Sequence, residues 1–328
     1  MENSTQSTES KSLVVTGIHH VTLISKDIVK NHAFWTRTLG LRLVKKSVNQ
    51  DSPSDYHLFY GDSEGSPGTE VTFFDWPQTA PNRSGANSID GLMLRVGTAD
   101  SVDWWAERLK SLGVAVQTGL VRDGRTAIAF ADPDGVSVEI VEDGDTPRAG
   151  SIWPESPVPA EHQIRGVYAV VLALRDPEAT IGMMKSVLGF REVATYERDG
   201  LPTTILVAAS GDPGRQVHVV HDTKRTQAML GHGGIHHVAF RITDYPTYDA
   251  FQDWLRQNRI GHSGPVDRYW FRSIYFRTRE GLVFELATDQ PGFSADEPLE
   301  SLGQKLTLAP FLEPMRAEIE AILKPISA

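Results

Sequence analysis

The stretch Gly17-Ile18-His19-His20-Val21 near the start of the chain returns as Gly234-Ile235-His236-His237-Val238. A Gly-Ile-His-His run entering apolar residues, used twice, constrains the fold more than any other feature. Self-similarity of this kind marks a duplicated structural unit. Further echoes give the period: Phe34-Trp35 through Leu39-Gly40-Leu41-Arg42 returns as Met183-Met184 through Leu188-Gly189-Phe190-Arg191. Gly17 matches Gly166 and Gly40 matches Gly189, both 149 residues on. Phe130-Ala131-Asp132-Pro133-Asp134-Gly135 leading to Glu139 returns as Phe276 through Gly281 leading to Glu285. The chain is a duplicated half.

Each half divides again. Residues 17–75 read as a strand from His19 to Ser25, a helix ending at Leu39-Gly40, and further strands, including Tyr56–Tyr60 and Thr69–Phe74. Gly40 suits the left-handed cap that closes a helix. Residues 88–142 repeat the order, with a strand from Gly91, a helix carrying Trp104, Trp105 and Leu109, and strands meeting at Asp132-Pro133-Asp134-Gly135. Residues 166–222 and 235–288 supply two more copies. The expected class is α+β, four tandem βαβββ modules in two duplicated halves. The spans expected are a disordered lead (1–12), an N-terminal half (13–144), a linker (145–163), a C-terminal half (164–290) and a tail (291–328). Pro147, Pro154, Pro157 and Pro159 suit the linker. The tail is expected to be loop-like with one short amphipathic helix, Pro310 to Leu323.

Composition closes off several functions. The 328 residues hold no cysteine, which excludes disulfides, thiolate nucleophiles and Cys-based metal sites. No apolar run approaches the ~20 residues that cross a bilayer. A net charge of -10 with scattered Lys and Arg leaves no basic face for nucleic acid. A cytoplasmic protein acting on a small molecule is expected, and a homo-oligomer is compatible with it.

Strand alternation decides which side chains can converge. Val21 and Leu23 pack toward the helix, which turns His20, Thr22 and Ile24 to the concave face. Val238 and Phe240 likewise leave His237 concave, and Leu282, Phe284 and Leu286 leave Val283, Glu285 and Ala287 concave. His20, His237 and Glu285 can therefore meet between the first and fourth modules. Two imidazoles and one carboxylate with open positions form the facial triad of non-haem Fe(II) oxygenases. In the first module Thr72 stands where Glu139 and Glu285 stand in theirs, so a fourth ligand is missing. The other pairing offers only Glu139 and His218, against Gly91 and Ala169, and reads as a structural cleft.

His19 and His236 fall by parity on the opposite face, with strand twist able to bring them to the rim. Orienting a metal-bound imidazole and simple packing both fit them. Ser273 and Tyr275 face the concavity, where a phenol can donate a proton to bound oxygen, and Arg268 can hold an anionic oxygen. A cross-strand aromatic pair and a surface salt bridge fit the same residues. His32, His57, His162, His218, His221, His232 and His262 read as structural or surface, with His221 the one of most interest. Asp62, Asp132 and Asp134 read as turn residues.

From residue 13 to about 310 the chain resembles the vicinal oxygen chelate superfamily of glyoxalases, bleomycin-resistance proteins and extradiol dioxygenases. Within it the chain is similar to the ring-cleaving hydroquinone 1,2-dioxygenases. The resemblance implies Fe(II), or Mn(II), on His20, His237 and Glu285, with an aromatic substrate and O₂. It implies catalytic roles for His19, His236 and Tyr275 and substrate contacts for Thr22 and Arg268. A catechol extradiol dioxygenase, a glyoxalase-type isomerase or lyase, and a non-catalytic binder of aromatic compounds are the alternatives.

Overall fold

The computed structural model describes residues 13–144, 150–209 and 214–326. The expected lead at 1–12 and the first part of the linker lie outside these residues. The first module runs β1 (Ile18–Ser25), α1 (Ile28–Ala33), β2 (Arg42–Asn49), β3 (Ser52–Gly61) and β4 (Glu70–Asp75). The second runs β5 (Ser88–Val96), α2 (Ala99–Ser111), β6 (Val116–Arg122), β7 (Arg125–Ala131) and β8 (Ser137–Glu142). The third comprises β9 (Val167–Leu174), α3 (Glu178–Val187), β10 (Arg191–Arg198), β11 (Leu201–Val207) and β12 (Gln216–His221). The fourth comprises β13 (Ile235–Ile242), α4 (Tyr245–Gln257), β14 (Val266–Asp267), β15 (Arg272–Arg277) and β16 (Val283–Thr288).

Four βαβββ units are thus present as read from the repeat. The halves, however, are units of sequence and not of packing. One eight-stranded sheet has the order β14-β15-β16-β13-β1-β4-β3-β2, the other β10-β11-β12-β9-β5-β8-β7-β6. Each sheet takes one module from each half, pairing the first with the fourth and the second with the third. The seams β1–β13 and β5–β9 are antiparallel, while first and last strands within each module run parallel. The chain changes sheets twice, and the two crossovers lie side by side, bonded through Asn82 N to His232 O and Arg83 N to Met229 O. Gly85 and Gly231 make that approach possible, since a Cβ on either would strike the Thr226 or Ala80 carbonyl oxygen.

Helices start and stop where capping chemistry dictates. Thr98 and Asp244 accept hydrogen bonds from the Ser101 and Thr247 amides at the N-termini of α2 and α4. Gly40 has φ +73°, as a left-handed cap requires. The helix before it is not uniform: α1 ends at Ala33 and gives way to a π-helical turn, Phe34–Thr38. Trp35 and Trp105, both fully buried, join Val21, Leu23, Phe240, Phe284 and Leu286 in one apolar core between helices and sheets. Parity was thus read correctly for these strands, and what remains on the concave faces are two smaller clusters, one for each sheet.

The tail differs from expectation. A 3₁₀ turn at Glu313–Met315 precedes α5 (Arg316–Ile322), so the helix is about half the length read from the sequence. Pro314 lacks the amide that an α-helix starting at 310 would need there. The segment before it is not a free loop. Buried Lys45 ties it to β2 through Asp296, Glu297 and the Phe293 carbonyl. The described part of the linker also packs down, with Val158 buried and Ser156 Oγ donating to the Gly40 carbonyl.

Candidate metal centre

The seam between β1 and β13 sets the site. His20 Nε2 lies 3.3 Å and His237 Nε2 2.9 Å from Glu285 Oε2, and all three residues are buried. Their ligand atoms lie within 4.8 Å of one another. Ser273 Oγ donates to Glu285 Oε1 at 2.5 Å, while buried Oε2 faces the two Nε2 atoms, which offer it no proton when each ring's Nδ1–H donates to the neighbouring histidine. A buried carboxylate oxygen without a donor is costly unless a cation takes it. Burial pushes the Glu285 carboxyl up, but His20 and His237 outweigh it and hold it well below the usual range. Burial lowers His237 despite the Glu285 charge. An ionised carboxylate facing two imidazole nitrogens is the donor set a divalent metal requires, so the residues fit such an ion.

His19 and His236 correct the parity argument. Opposite β1, Ile18 aligns with Phe240 and His20 with Ala239; opposite β13, Thr22 aligns with His237 and Leu23 with Ile235. His19 and His236 are each the extra residue of a β-bulge, which rotates neighbouring side chains toward the same face. They lie edge-on to the candidate ligand imidazoles, His19 Nδ1 3.0 Å from His20 Nδ1 and His236 Nδ1 2.7 Å from His237 Nδ1. If Nε2 of His20 is to offer a lone pair, its Nδ1–H must donate to His19, and the Thr288 backbone holds the His19 ring in turn. Such partners fix the tautomer and the ring plane. Burial, with the neighbouring histidine second, lowers His19 well below its ordinary value and His236 to about 3, so both stay neutral.

His19, His20 and Glu70 also bring ligand atoms together. His20 Nδ1 is committed to His19 there, and burial with Asp62 and Asp289 nearby pushes the Glu70 carboxyl well up. This group offers a metal one committed imidazole and a carboxyl whose charge burial disfavours, against the paired imidazoles and low-lying carboxyl around Glu285.

Tyr275 sits level with Glu285 on the neighbouring strand, and its hydroxyl accepts from Arg268 Nε at 3.3 Å. Both line the cleft over the triad, and Arg268 also forms the salt bridge that parity alone left open, to Asp51 at 2.8 Å. Thr22 lies beneath: its hydroxyl bonds Thr72 Oγ1 at 2.8 Å. Thr72 aligns with Thr22 as Glu285 aligns with Ala239, which confirms that it stands at the carboxylate position. Its hydroxyl is already shared with His57 Nε2 at 3.0 Å.

His57 was missed. It lines the cleft beside Phe59 and Phe74, and burial with His20 and His237 nearby lowers it well below its ordinary value. Alternation along β3 would have found it, since Tyr56, Leu58 and Tyr60 belong to the helix-side core. His221, by contrast, is exposed at the end of β12 on the other sheet.

In the second cleft Gly91 and Ala169 supply no ligands. Glu139 is clamped by Arg122 at 2.9 Å and Arg198 at 2.7 Å, guanidinium groups standing in for a metal cation. His218 bonds Tyr196 and Gln216 there, and burial lowers it to about 3. In the unfolded chain this imidazole binds its proton near pH 6.5, so the unfolded state holds more protons between about pH 6.5 and 3. Stability is therefore expected to fall as pH drops below ~6.5, by up to ~1.4 kcal/mol per unit from this group, levelling off near 3. Acid denaturation of His218→Gln should be visibly flatter over that window; an identical profile would refute the assignment.

This fold and site define a class, the glyoxalase/bleomycin resistance protein/dioxygenase superfamily, whose family model matches residues 17–140 and 166–286. The chain belongs to that superfamily. It is 40% identical over 313 residues to “Putative ring-cleaving dioxygenase MhqA” of Bacillus subtilis (strain 168), covering 95% of this chain and 99% of that protein. It is 32% identical to the chlorohydroquinone/hydroquinone 1,2-dioxygenase of Sphingobium indicum, covering 93% and 95% of the two chains. A solved Bacillus subtilis structure, described as a “putative dioxygenase”, superposes with a TM-score of 0.87 at 31% identity, over 96% of this chain and 98% of that one. Among the described residues no helix is long and apolar enough to cross a membrane.

Proposed function

We propose that this chain is a ring-cleaving dioxygenase that opens a hydroquinone-type ring with O₂, using Fe(II), or Mn(II), held by His20, His237 and Glu285. The observation that carries the reading is Glu285 Oε2, buried and facing two imidazole nitrogens whose rings hydrogen-bond a second histidine through Nδ1. The names of the relatives support the reaction class and the ring. When bound, the metal supplies a Lewis-acidic, redox-capable position open to both ring hydroxyl and O₂.

The chain's own residues do the rest. Arg268 lines the cleft with a guanidinium that can hold an anionic ring oxygen. Tyr275 accepts from Arg268 and so keeps its own O–H free to donate. Burial, with Glu285 next, raises that phenol far above its ordinary value, so it works as a proton donor and not as a phenolate. His57, neutral and facing the same cleft, can accept a hydrogen bond from a ring hydroxyl. His19 and His236 orient the ligand rings, and Thr22 fixes Thr72 beneath them. Phe59, Trp270 and Phe271 keep the cleft dry. A four-ligand glyoxalase site is disfavoured, because Thr72 supplies a hydroxyl already bonded to Thr22 and His57.

An oxygen electrode tests the reading with Fe(II)-loaded protein and a panel of hydroquinones and catechols. Oxygen uptake matched by loss of the hydroquinone ring absorbance is expected. Uptake with catechols alone would move the assignment to catechol cleavage, and no uptake with any member would end it. Ser273→Ala should lower metal affinity by ~10–100-fold, the usual cost of removing a group that orients a ligand, as read by competition with a metal indicator. Unchanged affinity would show that the Ser273–Glu285 bond does no orienting.

A further inference from the structure

The cleft above the triad is closed. Its volume is about 30 Å³, whereas an apolar cavity that accepts benzene is ~150 Å³. His20, His237 and Glu285 are at most 3% exposed, so a ring cannot reach them without movement. Val48, Asn49 and Gln50 wall one side of the cleft, facing Arg268 and Trp270 on the other. β2 and β3 are joined by the two-residue tip Gln50-Asp51, with Asn49 paired to Ser52 and the Asp51 amide bonded to Asn49 Oδ1 at 2.9 Å. This tip from the first module is fastened to the fourth at one residue. Gln50 Nε2 donates to the Arg268 carbonyl at 2.8 Å, and Arg268 donates to Asp51 Oδ2 at 2.8 Å.

The two fastenings differ in strength from the rest of the wall. Behind them, Trp270 and Phe271 are buried, and Trp270 Nε1 donates to Asp296, itself held by buried Lys45. The Asp51 side chain is 73% exposed, and an ion pair that wet is worth only ~0.2–1 kcal/mol. Moving the tip breaks one exposed ion pair and one part-buried hydrogen bond; moving the 270 wall breaks a buried cluster. The hairpin tip is the part that gives way.

We propose that the Gln50-Asp51 tip is the gate of the cleft, and that an anionic ring oxygen opens it by taking the place of the Asp51 carboxylate on Arg268. The exchange conserves the charge pairing of the guanidinium, so entry costs no unpaired ion. The identity of the displacing ligand rests on the ring-cleavage reading above, whereas the gate rests on geometry alone. Asp51 thus acts through Arg268 as a positioning residue, and selects substrates able to present a negative oxygen.

The test uses metal-loaded full-length protein, with Asp51→Asn, Gln50→Ala, the double variant, and Asp51→Glu as the conservative control. Dipicolinate extraction of the metal, followed with a metal indicator, is expected to speed up by ~2–5-fold in Asp51→Asn, the worth of an exposed pair, and further in the double variant. Asp51→Glu should restore the wild-type rate, and thermal midpoints should stay put. In anaerobic titrations hydroquinone should bind Asp51→Asn more tightly by a similar factor, since its competitor for Arg268 is gone. Extraction and binding both equal to wild type would overturn the gate. Faster extraction from a protein that turns over no hydroquinone would uphold the gate and reject the ring substrate instead.

Discussion

Glu285→Gln is expected to abolish metal binding, lowering affinity by well over ~100-fold, beyond the usual loss from an outer partner. The amide preserves volume and can still accept from Ser273, but it removes the one negative charge between the two imidazoles. The fold holds the Glu285 carboxyl well below its usual range, so its charge is stabilised there and the metal-free variant should be no more stable than the metal-free parent. The two part company once metal is added. The parent should gain ~2.7 kcal/mol of stability at a hundred-fold excess over its Kd, while the variant gains none. Elemental analysis and thermal unfolding with and without Fe(II) read both effects. A variant that retains stoichiometric metal would show that Glu285 is not a ligand.

Glu139→Ala tests the opposite role for the matching carboxylate. Its removal leaves buried Arg198 without a carboxylate and Arg122 with only the exposed Asp199, and a broken buried pair costs ~3–5 kcal/mol. At ~2–4 °C per kcal/mol for chains of a few hundred residues, the midpoint should drop by roughly ten degrees. Metal bound per folded molecule should not change. Replacing all three residues together, Arg122→Met, Glu139→Leu and Arg198→Met, should recover most of the loss, because no charge is then left buried alone. Loss of metal from Glu139→Ala equal to that from Glu285→Gln would mean the second cleft takes part in the centre.

These contrasting expectations come from one duplication. Gly91 and Ala169 stand where His20 and His237 stand, and the last-strand partners line up in all four modules. The repeat made that register legible before any coordinates, because a two-residue period leaves no freedom once a few core positions are assigned. Val21, Phe240 and Phe284 sufficed. Asx turns were equally legible, since Asp62 and Asp132 accept from amides two and four residues on, as their loops implied.

Three things were not legible. His19 and His236 broke the alternation because a bulge depends on how two strands meet, and neither strand alone reports it. Alternation puts His57 on the cleft side of β3, but what it meets there arises only where β3 lies beside the seam. Asp51 and Arg268 are distant in sequence, and their pairing needs the first and fourth modules in one sheet.

The sequence by itself thus determined the modules, the side of each strand that faces the core, and the three residues able to share a metal, because alternation and duplication are properties of the chain. Only the tertiary structure decided which histidines back the ligands, what fills the second cleft and what closes the first. Those depend on bulges, buried charge and contacts between strands far apart in the chain, and local pattern carries no record of them.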